Sequence, residues 1–447
     1  MTHYHASWIC PVSSAPIRNG TLVEQGGRIA YVGVRKMAPQ DGDDVELGDT
    51  ILVPGLVNAH CHLELTAMRG FLDGLEFREW ILRLTAARQA VLTPAMVLDA
   101  ARLGVDEGVR HGITTFADTG DTGAAFDAML ERGVRGICYR EVFGPDPRQC
   151  HDAVTGLRRK VLLMRDRETE LVRTGVSPHA PYTVADALYA ATSALAREFA
   201  LPMALHIAES QLESDLVEQA SGAFADGLRK RGIAVAVRAH SPVELLASLG
   251  MLDRRPLLIH CVRVTEQDVH SIARHDCAVA HCPASNAKLG HGIAPLAQLM
   301  AAGVRIGLGT DSVASNDRMD LLDEARLASL FASAREQRHD ALAATQALEL
   351  ATIGGARALS LDSEIGTLDV GKSADLAAFP IPSVRAPLHD PVSALVYSMA
   401  GTQASFVAVA GRIQVFDGIS RSADAGLPAR VQASADRLQE WLQSQAD

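Results

Sequence analysis

Between Ile51 and Leu361 the chain alternates short apolar runs with stretches of helical period, and this alternation restricts its fold more than any other feature. The runs cover residues 51–62, 112–118, 134–142, 173–180, 202–209, 256–262, 277–283 and 304–311. Each is apolar throughout, as strands covered on both faces are. The intervening TVADALYAATSALAREFA and MDLLDEARLASLFASAREQ repeat an apolar residue every three to four positions, the period of a helix. Eight buried strands separated by helices predict an α/β fold, a closed parallel (β/α)8 TIM barrel. An open doubly wound sheet would carry a glycine-rich phosphate loop after its first strand, and this chain has none there.

The flanks have a different texture. NGTLVEQGGRIAYVG has the turn glycines of a hairpin, and GTLDVGKSADLAAF and SFVAVAGRIQVFDG read as further short strands. We expect residues 1–53 and 362–447 to meet in a small composite β-sandwich domain, with residues 54–361 forming the barrel. The last helical stretch, PARVQASADRLQEWLQ, sets Val431, Leu438, Trp441 and Leu442 near one face, for packing on the body.

Charge removes some classes of partner. A net charge of -11 opposes binding to nucleic acid or to anionic membranes, which need clustered Lys and Arg. No apolar run is long enough to span a bilayer. MTHYHASWICPVSS lacks the basic start and apolar core of a signal peptide, so a cytoplasmic enzyme is expected. The seven cysteines are odd in number and show no C-x-x-C spacing, which fits reduced, buried thiols.

The ends of the predicted strands carry the chemistry. His60 and His62 close the first, His179 the fourth, His206 the fifth and His260 the sixth. His281 lies near the end of the seventh, and Asp311 closes the eighth. Barrels of this kind place their active groups at the carboxyl ends of the strands. Residues two apart on a strand share a side, so His60 and His62 can aim at one ion. One such histidine pair means little alone, but the same side-chain types recur at independent strand ends. His60, His62, His206 and Asp311 are therefore the expected ligands of one divalent metal ion. Zn2+ suits this donor set best, with Fe2+ or Mn2+ acceptable. Such an ion would lower the pKa of bound water from 15.7 toward ~7.

Glu209, three residues after His206 in HIAES, is placed to take the proton of that water and return it to a substrate nitrogen. His260 would stabilise charge as a tetrahedral intermediate forms, or act as a fifth ligand. His179 in SPHAPYT is a candidate substrate contact.

PGLVNAHCH, SPHAPYT, HIAES, HCV, HCPASNAKLGHGIAPL and GLGTDS together resemble the amidohydrolase superfamily. The similar branch contains S-adenosylhomocysteine and methylthioadenosine deaminases, aminodeoxyfutalosine deaminase and the triazine hydrolases. The tail ATIGGARALSLDSEIGTLDVGKSADL is similar too, so the resemblance covers nearly the whole chain. It implies a barrel with a composite β-sandwich, one metal on His60, His62, His206 and Asp311, Glu209 as proton shuttle, His260 as partner of the activated water, and a homodimer. Binuclear relatives use a carboxylated lysine on the fourth strand, and RTGVSPHA has no lysine. HCHLE, with Glu64, and MRGFLDGLEFREWI look like the aminodeoxyfutalosine deaminase group. Phe71, Phe77 and Trp80 would wall a flat base or else anchor their segment to the barrel, Glu64 would contact the substrate, and Arg69 and Arg140 would hold a substrate carboxylate through paired N–H groups or else form surface or structural ion pairs.

The expected reaction is hydrolytic deamination of an adenine-type nucleoside, such as aminodeoxyfutalosine, S-adenosylhomocysteine, methylthioadenosine or adenosine. An s-triazine, pterin or guanine losing amine or chloride is the alternative on the same site. A non-catalytic assembly protein is a third reading, disfavoured because the ligand set is complete.

Overall fold

In the computed structural model, which describes residues 1–421 and 424–445, two kinds of sheet divide the strands. The positions 422, 423, 446 and 447 of the expected C-terminal segment lie outside the described residues. Strands β1 (Thr2–Ile9), β2 (Ile17–Gln25), β3 (Arg28–Val34), β4 (Asp43–Glu46) and β5 (Thr50–Pro54) come from the N-terminal flank. Then follow β6 (Leu56–Cys61), β7 (Ile113–Gly120), β8 (Arg135–Val142), β9 (Val172–Pro178), β10 (Ala204–Ile207), β11 (Leu257–His260), β12 (Ala278–His281) and β13 (Arg305–Leu308). The C-terminal flank adds β14 (Leu376–Pro380), β15 (Phe406–Val409), β16 (Arg412–Phe416) and β17 (Ile419–Ser420).

Strands β6 to β9 form one four-stranded parallel sheet and β10 to β13 another, each in chain order. Isolated parallel bridges cross between them: Val176 of β9 to Met203 just before β10, and Cys61 of β6 to Asp311 just after β13. The two faces of these strands bury different partners, which is why their sequences show no alternation. Phe116, Cys138, Leu205 and Leu258 pack with helical Val105, Ala125, Leu188 and Val269. Ala59, Ala117, Ile137, Ala204, Ile259 and Ala280 instead gather in one cluster drawn from both sheets.

The apolar run 51–62 is two strands. The break falls at Gly55, where the chain leaves one sheet for the other. A Cβ at Gly55 would lie 2.2 Å from Thr114 Oγ1 and 2.4 Å from its Cγ2, so only glycine fits. The amide of Gly55 donates to the Asp375 carbonyl at 2.8 Å. Asp375 also receives Arg135 Nε at 2.9 Å, a buried ion pair that ties β8 to the sheet of the flanks.

The flanks form one continuous nine-stranded sheet in the order β17-β16-β15-β14-β5-β1-β2-β3, with β4 beside β1. Two separate sheets of a sandwich were the expectation. Hydrogen bonding runs unbroken because β5 pairs with both β1 and β14, joining the two ends of the chain. This sheet is curled. Tyr4 of β1 and Phe406 of β15 have ring centroids 4.9 Å apart, although three strand spacings, roughly 14 Å if flat, separate their backbones. The inner face collects Tyr4, Leu22, Leu52, Leu376 and Phe406 into its own core.

Three helices position the loops that matter: α1 (Phe77–Val91), α2 (Pro94–Arg110) and α3 (Ala124–Arg132). Glu76 caps α1 by accepting from the amides of Arg78 and Glu79, and Thr93 caps α2, with Pro94 in its first turn. The C-terminal helix Leu427–Ser444 packs on α1 and α2. It buries Val431 and Leu438 and half-buries Trp441 and Leu442. Among the described residues, no helix is long and apolar enough to cross a membrane.

Candidate active site

The carboxyl ends of the parallel strands open into a cavity of about 680 Å³. Its floor is histidine and carboxylate; its wall is aromatic and aliphatic.

His60 lies in β6, with His62 directly after it, His206 lies in β10, and Asp311 follows β13. Their donor atoms converge. His60 Nε2 is 3.3 Å and His62 Nε2 3.5 Å from the same Asp311 oxygen, while His206 Nε2 is 3.3 Å from His62 Nε2. Burial pushes the imidazoles of His60, His62 and His206 down from their usual range, so they present as neutral donors. Burial alone would raise the Asp311 carboxyl. His60, then His260 and His62, outweigh it and hold this group well below the usual carboxylate range.

The donor chemistry fits a divalent ion. Both ring nitrogens of His60 and Nδ1 of His206 are buried without a hydrogen-bond partner. A buried polar atom left unpaired costs about 1–3 kcal/mol, and His60 Nε2, 3.3 Å from Asp311, is such an atom beside the other donors. Three imidazoles and a carboxylate are a zinc donor set.

Backbone geometry aims these groups. Ala208, His260, Cys261 and Asp311 have φ of 51°, 77°, 48° and 56°. Such left-handed turns in non-glycine residues are costly and collect where side chains must be redirected. Asp311 is then fixed by Ser285 Oγ at 2.6 Å and by the Ser312 amide at 2.7 Å.

Glu209 stands beside this cluster, 4% exposed. His291 Nε2 is 3.3 Å and His260 Nε2 3.6 Å from its Oε1, and the Tyr182 hydroxyl donates to Oε2 at 3.4 Å. Burial raises this carboxyl, but His260 and His291 together hold it down to about 2. It is therefore an anion at neutral pH. Glu213 fixes the backbone at this turn, accepting the amides of Ala208 and Glu209 at 2.8 and 2.9 Å.

The remaining predicted residues divide. His179 lines the cavity with its ring 4.6 Å from that of His206; burial pushes its pKa down to about 3. Trp80 and Phe77 of α1 also line it, whereas Phe71 is buried without doing so. Glu64 reaches the cavity, but its oxygens accept from Thr122 Oγ1 at 2.5 Å, the Gly123 and Ala124 amides, and Arg88. Glu64 thus caps α3, and its ionic partner Arg88 lines the cavity, as do Arg78 and Arg231. The structure does not bring Arg69 or Arg140 to the cavity lining. The turn Leu63–Met68 carries Arg69 away to an exposed ion pair with Glu107, and Arg140 of β8 is buried against the turn at Gly123.

Sequence reasoning passed over His291, Tyr182 and Asn286. The signal was present: His291 and Asn286 fall in HCPASNAKLGHGIAPL and Tyr182 in SPHAPYT. Nothing in the spacing says that His291 returns to Glu209, because the link crosses from one loop to another.

The amidohydrolase family pattern matches residues 51–414. A relative named 5'-deoxyadenosine deaminase, from Methanothrix thermoacetophila, is 32% identical over 97% of this chain and 99% of its own. A 5-methylthioadenosine/S-adenosylhomocysteine deaminase from Moorella thermoacetica is 32% identical over 93% of this chain and 94% of its own. Among solved structures, an adenosine deaminase from Xanthomonas campestris with bound zinc superposes with a TM-score of 0.86 at 28% identity, covering 98% of each chain.

Proposed function

The chain belongs to the amidohydrolase family, and from that premise we propose that it is a metal-dependent hydrolase that releases ammonia from an adenine-type nucleoside. The observation that carries this reading is Glu209. Its carboxylate, packed against His260 and His291, faces the same cavity as His62, His206 and Asp311, with His60 beneath them at 3.3 Å from Asp311. The full-length relatives named as deaminases of 5'-deoxyadenosine and of methylthioadenosine or S-adenosylhomocysteine support the substrate class.

His60, His62, His206 and Asp311 would hold one divalent ion, zinc in the first place. When bound, it makes water available as a nucleophile at neutral pH. The protein's own groups do the rest. Phe77 and Trp80 press on the flat base and exclude water from its faces. Glu209 takes the proton of the attacking water and delivers it to the ring nitrogen next to the amino-bearing carbon. The same carboxylate then takes the proton left on the added oxygen and passes it to the amine, so that the C–N bond breaks, ammonia departs and an oxo base remains. His260 Nε2, 3.6 Å from Glu209, hydrogen-bonds the oxygen that adds to the ring. His179, at the cavity edge near Tyr182 and Phe143, contacts the substrate.

We read the two four-stranded sheets as one closed (β/α)8 barrel over residues 54–361. The bridges at Val176–Met203 and Cys61–Asp311 and the shared inner cluster support closure. Residues 1–53 and 362–447 would form the second domain.

The test is ammonia release by the zinc-loaded protein from aminodeoxyfutalosine, S-adenosylhomocysteine, methylthioadenosine, 5'-deoxyadenosine and adenosine, with guanine and an s-triazine as contrasts. Ammonia from an adenine nucleoside, abolished by chelation, is expected. Turnover of the triazine or guanine alone would reject the adenine class.

A further inference from the structure

A second group of metal-ligating side chains sits in the nine-stranded sheet, and none of them lines the cavity. β1 pairs in parallel with β4, with His3 beside Asp44 and His5 beside Glu46. Side chains two apart on a strand share a face, so these four project from the same side of the sheet. The donors converge on one atom. His3 Nδ1 is 3.3 Å and His5 Nε2 2.9 Å from Asp44 Oδ1. His3 and His5 are 4% and 5% exposed, and Asp44 stands at the surface. His3 Nε2 is buried with no hydrogen-bond partner. The other nitrogen of His5 is held by Thr21 Oγ1 at 2.8 Å, from the position facing it on β2.

We propose that His3, His5 and Asp44 form a second binding site for a divalent transition-metal ion of the zinc class. Two imidazoles and a carboxylate oxygen are donors that zinc takes readily. The contact of His5 with Thr21 is the kind that orients a ligating ring, leaving Nε2 turned toward the ion. One carboxylate oxygen facing two imidazoles has more nitrogen around it than an ordinary ion pair requires. The exposed edge at Asp44 gives the ion a route in and leaves room for water. Arg35 opposes binding: its Nη2 lies 4.0 Å from Asp44 Oδ2 and 2.7 Å from Glu46 Oε1. Removing that positive charge should strengthen cation binding and free Glu46 as a further oxygen donor.

Zinc bound per chain, measured by equilibrium dialysis and elemental mass spectrometry, tests this on the full-length protein. The wild type should bind one equivalent more than Asp44→Asn, which changes an exposed group and spares the sheet. His3→Ala combined with His5→Ala should lose the same equivalent, with ammonia release unchanged. Arg35→Ala should bind that equivalent several-fold more tightly. Equal stoichiometry and affinity in wild type and Asp44→Asn would overturn the proposal. So would an Arg35→Ala variant that binds zinc more weakly. Because the result is a difference between variants, it stands apart from whether the cavity site is filled or active.

Discussion

Asn286 Oδ1 lies 3.0 Å from His260 Nδ1, and this contact turns the opposite nitrogen of the ring toward Glu209. The asparagine comes from the helix Pro283–Lys288, the histidine from the end of β11, so two loops set one ring. Asn286→Ala should lower kcat by about 10–100-fold while zinc content stays at the wild-type value. Asn286→Asp keeps an acceptor at the same place and should recover part of the loss. Steady-state kinetics with metal analysis would show it; an unchanged kcat in Asn286→Ala would remove the positioning role.

Glu209→Gln keeps the shape of the side chain and removes its ability to take a proton. Turnover should fall by about 10²–10⁴-fold, the usual share of general acid–base catalysis. Zinc binding should survive, because Glu209 is outside the proposed donor set. Near-normal ammonia release in this variant would exclude Glu209 as the proton carrier.

Dialysis against a chelator should abolish ammonia release, and added zinc should restore it. The unpartnered His60 Nε2, buried beside Asp311, predicts a stability effect as well. With zinc at 100 times its Kd, the folded state gains about 2.7 kcal/mol, and Tm should rise with zinc concentration. Calorimetry on apo and loaded protein measures this. A Tm independent of zinc would mean that these side chains do not hold the ion.

Asp375→Ala would leave buried Arg135 with the more exposed Glu364, at 3.2 Å, as its remaining ionic partner, so the loss should fall at or below the low end of the range for a broken buried pair. Breaking a buried pair from one side costs about 3–5 kcal/mol. The exposed Arg158–Glu198 pair should matter far less, so Glu198→Ala is the control. Urea unfolding midpoints of the two variants should separate clearly, with Asp375→Ala the less stable.

Gly55→Ala places a methyl group against Thr114 at the crossing between sheets. Overpacking of this kind costs about 1–3 kcal/mol. Adding Thr114→Ser to Gly55→Ala removes the Cγ2 clash and should recover part of the stability, again read from urea midpoints.

The strand-end residues were legible in the sequence because a buried parallel strand reads as an apolar run, and a histidine or carboxylate at its end stands out against that run. His60, His62, His206, Glu209 and Asp311 each close or follow a visible apolar run; the structure brings the last four to one cavity and sets His60 against Asp311 beneath it. The split at Gly55 was hidden, since both strands are buried and the apolar run does not pause between them. Arg69 and Arg140 show the opposite difficulty. A charged residue in a loop has many possible partners, and Glu107 was no more visible than a substrate carboxylate. His291 could not be paired with Glu209 because its position depends on how the segment after the Pro283–Lys288 helix folds back.

Strand β5 finds one neighbour, β1, almost at once, but the other, β14, begins at Leu376. During synthesis at about 5–20 residues per second, the N-terminal strands therefore wait on the order of half a minute with an open edge. Unpaired edges invite pairing with other chains. The ribosome thus exposes this protein to misassociation longest at the sheet that holds no part of the cavity, and expression at low temperature or with a holdase chaperone should improve its soluble yield.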